Sequence, residues 1–419
     1  MPHVRRAEYP EAHSSYTLEY VEVIHRHHKR TPYADNAFPV EAYPWYCDDE
    51  SLLYYGAPFP TDGANHSTNT YWRVYTSPSN PLAPRGFNGT CQFPQITRGG
   101  LDDSWQHGKD LYGVYHDLLG FLPEKFDPSL VSFRVTNNII TSQVASMVTS
   151  SMFSGEAHQN LPLLVQPPSI DSLEPAYTCS AAKNNFSEYG VGSNDSGWTS
   201  HLKAASALYA HLDTISGVSP TDSGFHVSFD HYFDNLSARL CHAKPLPCNA
   251  SNPSLCVTQA MADEVFRLGQ YEYSYLYRDA GARTLEYSTG SYGIWVAELV
   301  QNLRDAMHKT DSVSSSNRTS SGIRYRHNVA HDGSISRLLS ILQIEKMVWP
   351  GMGSEVVFEL YMSKVDRQYY IRVLWGGQLL RSSNPTLGVL DMLRVEILIA
   401  YFDGLVGQKA NKISSLCSI

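Results

Sequence analysis

The chain has 419 residues, of which 42% are hydrophobic and 17% are charged, so it is long enough for one large globular domain or two. Its net charge of −9 excludes the overall basic balance that would point to nucleic acid or an anionic membrane as a partner. Residues 387–406 form the most apolar late stretch, but four charged residues interrupt it, whereas a bilayer span needs about 20 mainly apolar residues. We therefore expect no membrane segment and predict an amphipathic helix that closes the core there.

The first third of the chain contains two predicted strands and a long predicted helix. Residues 18–25 alternate between apolar and polar side chains, which is the period of a strand, and this strand runs straight into a basic loop. Residues 31–95 are rich in Pro, Gly, Asn and aromatic residues and are predicted to form long ordered loops. A helix is predicted over residues 96–122, a second short strand over residues 131–135, and helix again from residue 141.

The rest of the chain is predicted to be mainly helical at first, with strands returning near the end. The predicted elements, in order, are a loop at 162–194, helices at 201–215, 254–277 and 293–308, a Ser-rich loop at 311–322, a strand at 323–328, a helix at 335–342 and a hairpin of 355–361 with 369–375. Strands thus bracket a helical middle. We predict an α/β domain built from residues 1–160 and 311–419, with a smaller, mainly helical domain of residues 161–310 inserted in it.

Seven Asn-X-Ser/Thr sequons indicate passage through a secretory pathway. They occur in polar, turn-like contexts at Asn65, Asn88, Asn185, Asn194, Asn235, Asn249 and Asn317. The polar start of the chain lacks the apolar region of a signal peptide, so we expect a secretion signal to have been removed.

The seven cysteines fit an oxidising compartment. Their spacings match no zinc-site pattern, and the chain contains no Cys-X-X-Cys. Up to three disulfides and one unpaired thiol are the simplest account, and the sequence leaves their connectivity open.

The most informative segment is Arg-His-His-Lys-Arg-Thr-Pro at residues 26–32, directly after the first predicted strand. It places two guanidinium groups around the imidazole of His27. Guanidinium groups bind phosphate oxygens bidentately and stay charged, and an imidazole with a free ring nitrogen is a good nucleophile towards phosphorus. Loops at the carboxyl ends of strands are where α/β sheets bind their ligands.

This segment resembles the signature of the histidine acid phosphatases, Arg-His-Gly-X-Arg-X-Pro. Arg26, His27, Arg30 and Pro32 agree with the signature, and His28 stands where the family has Gly. The glycine permits close backbone approach or a positive φ, whereas histidine adds bulk and a titratable group.

Further segments extend the resemblance over about residues 18–380. His331 and Asp332 resemble the His-Asp pair of the family, Arg134 resembles its third arginine, and residues 95–111 resemble its first helix. Within this family, the sequence most resembles secreted fungal members and the phytase-like branch of the superfamily. The resemblance implies a histidine-phosphatase fold, in which helices flank a mixed central sheet and a smaller helical domain is inserted.

The resemblance also implies a two-step hydrolysis of a phosphomonoester, a small-molecule substrate. His27 would attack phosphorus and form a phosphohistidine, and Asp332 would protonate the leaving alcohol. The non-bridging oxygens would be held by Arg26, Arg30, Arg134 and His331, with His28 at the pocket edge. Fixed cations that meet developing phosphoryl charge agree with this assignment. An acidic optimum follows because Asp332 must be protonated to act as an acid, and no metal or cofactor is required.

Other interpretations of these residues remain open. Arginines beside a histidine can form a surface ion-pair cluster, and His25, His27 and His28 could suggest a metal site, although the adjacent arginines would repel a cation. The fold could also be reused for non-hydrolytic chemistry, for example by a cyclase or pericyclase of a natural-product pathway, or for ligand binding. His28 leaves room for this alternative. The identity of the substrate and the oligomeric state are not predicted.

Overall fold

The computed structural model describes residues 3–40, 45–47, 53–54, 71–72, 79–80, 89–154, 161–311 and 322–417. The chain forms two compact units. The first comprises residues 1–27, 103–198 and 270–419, and the second comprises residues 28–102 and 199–269.

A mixed sheet lies at the centre of the first unit. The strands of the described residues are β1 (Tyr16–Arg26), β2 (Leu53–Tyr54), β3 (Tyr71–Trp72), β4 (Val131–Val135), β5 (Leu163–Leu164), β6 (Tyr325–Ala330), β7 (Glu355–Ser363), β8 (Tyr369–Trp375), β9 (Gln378–Leu379) and β10 (Leu393–Arg394). The order in the sheet is β10-β8-β7-β1-β6-β4-β5, with β9 also on β8, while β2 and β3 pair separately. Strands β1, β6, β4 and β5 run parallel, and β7 and β8 form the predicted antiparallel hairpin.

Helices account for most of the remaining structure. Their bounds are α1 (Arg98–Tyr112), α2 (Ile139–Met152), α3 (Ser180–Tyr189), α4 (Ser196–Ala204), α5 (Ser206–Ser216), α6 (Ser223–His226), α7 (Asp230–Cys241), α8 (Gln259–Ser274), α9 (Arg283–Asp311), α10 (Asp332–Ile341), α11 (Val395–Val406) and α12 (Ile413–Leu416). In the first unit α2, α9, α10 and α11 pack against strands of the sheet. No helix of the described residues combines the length and the apolarity that crossing a bilayer requires.

The central position of β1 explains its burial. Its last seven residues are all buried, because β6 covers one edge of the strand and β7 the other. A strand with two neighbours and covered faces holds its carboxyl end in a fixed position. The end of β1 is therefore a rigid support for the residues that follow it.

The predicted strands and most predicted helices are present, but the structure corrects two features. A helix, α3, lies within residues 162–194, which were predicted as loop. Residues outside this segment hold the helix in place. Cys179 at its start forms a disulfide with Cys417, and Gly290 of α9 packs against the helix. A side chain at Gly290 would meet the Cβ of Ala181 at 2.6 Å, so the helices approach too closely for any larger residue.

The boundaries of the two units also differ from the predicted ones. Residues 28–102, which the sequence pattern assigns to the α/β domain, cluster with the second unit, and residues 161–198 and 270–310 cluster with the first. The reason is long-range pairing that no local pattern reveals. In the second unit, Asp234 of α7 accepts hydrogen bonds from Arg30, from the backbone N–H of Tyr33 and from Asn36.

Three disulfides are formed, as predicted. They join Cys47 to Cys91, Cys179 to Cys417 and Cys248 to Cys256, and Cys241 takes part in no disulfide. All seven cysteines lie within the described residues.

Candidate active site

The candidate site lies where three parallel strands of the first unit end side by side. Arg26 at the end of β1 pairs with Ala330 at the end of β6, and Val135 of β4 pairs with Val329 of β6. His27, His331 and Thr136 follow these strand ends directly. This is the edge at which open α/β sheets bind their ligands.

His27 is held by its backbone on both sides. Its N–H donates to the carbonyl of Ala330 (3.0 Å), and its carbonyl accepts from the N–H of Gly353 (3.1 Å). Its ring meets that of His331 edge to face, with ring centroids 5.4 Å apart and an interplanar angle of 65°. His27 is 1% exposed, so the imidazole is positioned by the fold rather than mobile at a surface.

Arg26 and Asp332 form an ion pair beside these histidines. Arg26 Nη2 lies 3.0 Å from Asp332 Oδ2, and its Nη1 donates to the carbonyl of Pro350 (2.7 Å). Asp332 is the first residue of α10, where the helix dipole favours a negative charge. The indole Nε1 of Trp349 donates to the same Oδ2 atom (2.8 Å) and the N–H of Gly333 donates to Oδ1 (2.8 Å).

Trp349 is the residue of this site that the sequence did not reveal. Its ring stacks on that of Tyr273 at 4.0 Å between centroids, and its backbone N–H donates to the side-chain oxygen of Gln270. The segment that contains Trp349 carries no recognisable motif, and only the neighbouring Pro350 and Gly351 mark it as a turn.

His331 is placed by Thr136 and lies near a carboxylate. Its Nε2 is 2.9 Å from the hydroxyl of Thr136 and 3.7 Å from Glu174 Oε1. Burial, reinforced by the nearby charge of Asp171, raises the pKa of Glu174. Thr136 thus holds the His331 ring in place next to the ring of His27.

Arg134, predicted to bind phosphate, is held by other side chains. Its guanidinium pairs with Glu298 (2.7 Å) and Asp171 (3.3 Å), and it also donates to Gln166 and Ser172. A phosphate bound by Arg134 would compete with both carboxylates for this guanidinium.

His28 and Arg30 belong to the second unit. His28 is 1% exposed, and Arg30 is 2% exposed. The Arg30 guanidinium pairs with Asp234 (3.0 Å), donates to the carbonyl of Thr31 (2.8 Å) and lies over the ring of Tyr33 at 4.1 Å. Arg30 is therefore part of a buried ion pair with its charge already matched.

Of the histidines that the sequence offers as metal ligands, His25 is held by other residues of the first unit. Both ring nitrogens of His25 are engaged by the protein, Nδ1 with the carbonyl of Arg26 and Nε2 with Nε2 of His327. A metal ion would have to displace these partners.

The predicted glycosylation sites fall into three groups. Asn65, Asn88 and Asn317 lie outside the described residues. Asn194 is exposed and Asn249 is partly exposed. Asn185 and Asn235 are buried, at 4% and 1% exposure, and their amides donate to the carbonyls of Leu276 and Asn36, so the structure argues against a glycan on either.

The mixed sheet, with a histidine pair at its parallel strand ends, defines a histidine-phosphatase fold. Comparison with family models gives the more particular result that residues 17–375 match the histidine phosphatase superfamily (branch 2). The chain belongs to this family.

The chain is also similar to several known proteins. Counting factor 60 of Dictyostelium discoideum is 23% identical over 373 residues, which cover 86% of this chain and 80% of that protein. Among solved structures, the Klebsiella sp ASR1 phytase has a TM-score of 0.55 at 15% identity, and the alignment covers 97% of each chain. The Hafnia alvei phytase in complex with tartrate has a TM-score of 0.57 at 13% identity, covering 95% of this chain and 99% of that one. At these identities the structural likeness establishes the fold.

Proposed function

We propose that the chain is a secreted acid phosphomonoesterase that works through a phosphohistidine on His27. The observation that carries the proposal is the convergence of His27, His331 and the Arg26–Asp332 pair at the carboxyl ends of β1 and β6. These are the nucleophile, the phosphate-binding groups and the acid that the chemistry needs. Membership of the histidine phosphatase superfamily and the likeness to phytases support the same class of reaction.

In the proposed reaction a ring nitrogen of His27 attacks phosphorus while the bond from phosphorus to the ester oxygen breaks. Arg26 and His331 hold the non-bridging oxygens, and Asp332 gives its proton to the departing alkoxide. Water then attacks the phosphohistidine and gives a proton to the Asp332 carboxylate, so that phosphate is released and both His27 and the protonated Asp332 are regenerated. Charge stabilisation and positioning supply most of the rate in such phosphoryl transfers.

The Arg26–Asp332 pair suggests how substrate binding prepares the acid. An incoming phosphoryl group competes with Asp332 for the Arg26 guanidinium. A carboxylate that loses its cationic partner takes up a proton more readily, which is what a general acid requires. Asp332 keeps 23% of its side chain exposed, so a leaving group can reach it.

The test is turnover of p-nitrophenyl phosphate from about pH 3 to 8, together with acid-quench trapping of radiolabelled substrate. Wild type should show an acidic optimum and a labelled histidine. His27→Ala should lower kcat by about 10³-fold or more and abolish the trapped label, because no other group can take the covalent role.

The matched control is His13→Ala, since His13 is an exposed histidine of the same unit. It should retain wild-type turnover and label. Melting curves of both variants separate loss of chemistry from loss of folding. A folded His27→Ala protein that keeps turnover or label would disprove the assignment of the nucleophile.

One observation favours a second candidate, a non-hydrolytic or ligand-binding role on the same fold. Each of the three predicted phosphate-binding arginines is paired with a carboxylate, Arg26 with Asp332, Arg30 with Asp234 and Arg134 with Glu298. If these pairs persist, little positive charge is left for a phosphate. Absent hydrolysis at every pH, combined with no rise in Tm in excess phosphate or vanadate, would favour this candidate.

The proposal that the protein is secreted rests on the three disulfides and the sequons. Disulfides persist in oxidising compartments and are rare in the cytosol. Asn194 and Asn249 are the sites among the described residues that we propose to carry N-linked glycans.

A further inference from the structure

A chain of buried polar side chains leads from the interior of the sheet to the backbone just before His27. The hydroxyl of Tyr325 lies 3.0 Å from Nδ1 of His327, both on β6. Nε2 of His327 lies 2.8 Å from Nε2 of His25 on β1, and Nδ1 of His25 lies 2.8 Å from the carbonyl oxygen of Arg26. All three side chains are 0% exposed, so water does not compete for these hydrogen bonds.

The Arg26 carbonyl, at the end of this series, fixes which atom donates and which accepts in every hydrogen bond of the series. The carbonyl of Arg26 can only accept, so Nδ1 of His25 carries a hydrogen. A neutral imidazole then has its lone pair on Nε2, which must accept from Nε2–H of His327. Nδ1 of His327 is left as an acceptor for the Tyr325 hydroxyl. One combination of tautomers therefore satisfies all three bonds, provided that both rings are neutral.

The surroundings keep both rings neutral. Burial lowers the pKa of His25 to about 4, although the hydrogen bond to the Arg26 carbonyl acts in the opposite direction, and burial also lowers the pKa of His327. The side chains of His107 and Glu355 lie on the same side of the sheet as His25, and Phe133 packs against His327 at 5.3 Å. Burial raises the pKa of Tyr325, so its hydroxyl stays a donor.

This series of hydrogen bonds ends at the peptide bond that joins Arg26 to His27. Its carbonyl accepts from His25, and its N–H, which belongs to His27, donates to the carbonyl of Ala330. Both polar groups of this peptide are thereby fixed. Rotation of the peptide plane would break both bonds and would change the backbone φ of His27, on which the direction of its side chain depends.

We propose that Tyr325, His327 and His25 are positioning residues, a hydrogen-bond relay that orients the Arg26–His27 peptide and with it the His27 imidazole. The proposal rests on the proposed function only where it concerns turnover. The orientation of the peptide is a property of the fold and can be measured without substrate.

The first test reads the relay directly by NMR of protein labelled with nitrogen-15 in histidine, at about pH 6. Long-range proton–nitrogen spectra, assigned with single His→Asn variants, should show His25 protonated on Nδ1 and His327 protonated on Nε2. Tyr325→Phe removes the first donor, so it should change the tautomer populations of His327 and His25 and shift the amide resonance of His27. Tyr361→Phe removes a hydroxyl of another buried tyrosine of this sheet and should leave these signals unchanged.

The second test is turnover. Because displacement of a reacting group by about 1 Å costs roughly 100-fold in rate, Tyr325→Phe and His327→Leu should lower kcat by about 10- to 100-fold with KM within about twofold. His327→Gln keeps an acceptor towards Tyr325 and a donor towards His25, so it should retain most of the turnover.

The outcomes separate the relay from the proposed function. His25 protonated on Nε2, or a His27 amide that is unchanged in folded Tyr325→Phe, would overturn the relay whether or not the protein is a phosphatase. An unchanged kcat in folded His327→Leu would also overturn it. A wild type with no turnover and no phosphohistidine would overturn the proposed function alone, and the NMR result would still decide the relay.

Discussion

At the scale of single residues, the local sequence predicted where the strands end but not which charged residues pair with each other there. His27 and His331 each follow a predicted strand, and the resemblance to the histidine acid phosphatase signature implied that the two would lie together. The partners of Arg30 and Arg134 were not, because Asp234 and Glu298 lie 204 and 164 residues away along the chain. Only tertiary packing shows that these guanidinium groups are already paired.

The role of Trp349 can be tested by Trp349→Phe. The substitution removes the indole N–H that donates to Asp332 but keeps an aromatic ring against Tyr273. A hydrogen bond to a charged group contributes about 1.5–3 kcal/mol, which corresponds to about one pH unit or more. Since that bond favours the ionised carboxylate, its loss should move the limb of the kcat–pH profile that reports Asp332 towards higher pH. The profile should be recorded with an alkyl phosphate, whose poor leaving group needs protonation most.

A matched control is Trp105→Phe, because Trp105 is 38% exposed on α1. Trp105→Phe should leave the kcat–pH profile unchanged. A Trp349→Phe profile that coincides with wild type would show that the indole packs beside Asp332 without tuning it.

At the scale of elements, position within a helix or a loop decides which sequons can carry a glycan. Asn185 lies in α3 and Asn235 in α7, and both side chains face the interior, where their amides donate to backbone carbonyls. Asn194 and Asn249 lie between helices, where Asn194 is exposed and Asn249 is partly exposed, with its amide donating to the carbonyl of Thr214 (2.6 Å). The sequence reveals each sequon but not the helix face on which it falls, because α3 was not recognisable as a helix.

We expect peptide mapping of protein from a eukaryotic secretory host to find glycans on Asn194 and Asn249 and bare peptides at Asn185 and Asn235. A sugar on a buried amide would have to displace packed side chains, which folding does not tolerate. Asn194→Gln and Asn249→Gln should each lower the mass by one glycan and keep the melting temperature within a few degrees. A glycan found on Asn235 in folded protein would contradict the structure.

At the scale of the whole chain, the sequence predicted the class of fold better than its division into units. The α/β pattern and the mixed sheet are present, since each strand has a local signature. The boundaries depend on contacts that join distant segments, such as Asn36 with Asp234 and Cys179 with Cys417. In the first unit, the N-terminal segment is fastened to the sheet by buried acids: the N–H of Val4 donates to Glu355, and the hydroxyl of Tyr9 donates to Glu359.

Glu355 makes the stability of the first unit depend on pH. Burial raises its pKa from 4.5 to about 8, so it stays protonated in the folded protein at pH 7 while it is ionised in the unfolded chain. Its contribution to stability is present below about pH 4.5 and is lost as pH rises through 8. At pH 7 the loss amounts to about 3 kcal/mol. His25 acts in the opposite sense, because its lowered pKa makes stability rise with pH between about 4 and 6.5.

Glu355→Gln should therefore change the pH dependence of Tm rather than lower Tm uniformly. The amide keeps an acceptor for the N–H of Val4 and a donor for Nε2 of His107, which lies 2.9 Å from Oε2 in the wild type. Relative to wild type, the variant should gain stability steadily from pH 5 to 7.5, measured by thermal or urea unfolding, because only the wild type has a carboxyl to ionise on unfolding. Glu345→Gln, at an exposed position, should follow the wild-type curve. An equal loss of stability for Glu355→Gln at every pH would mean instead that Glu355 is ionised in the folded state and paired with a protonated His107, since removing one partner of a buried ion pair destabilises the protein.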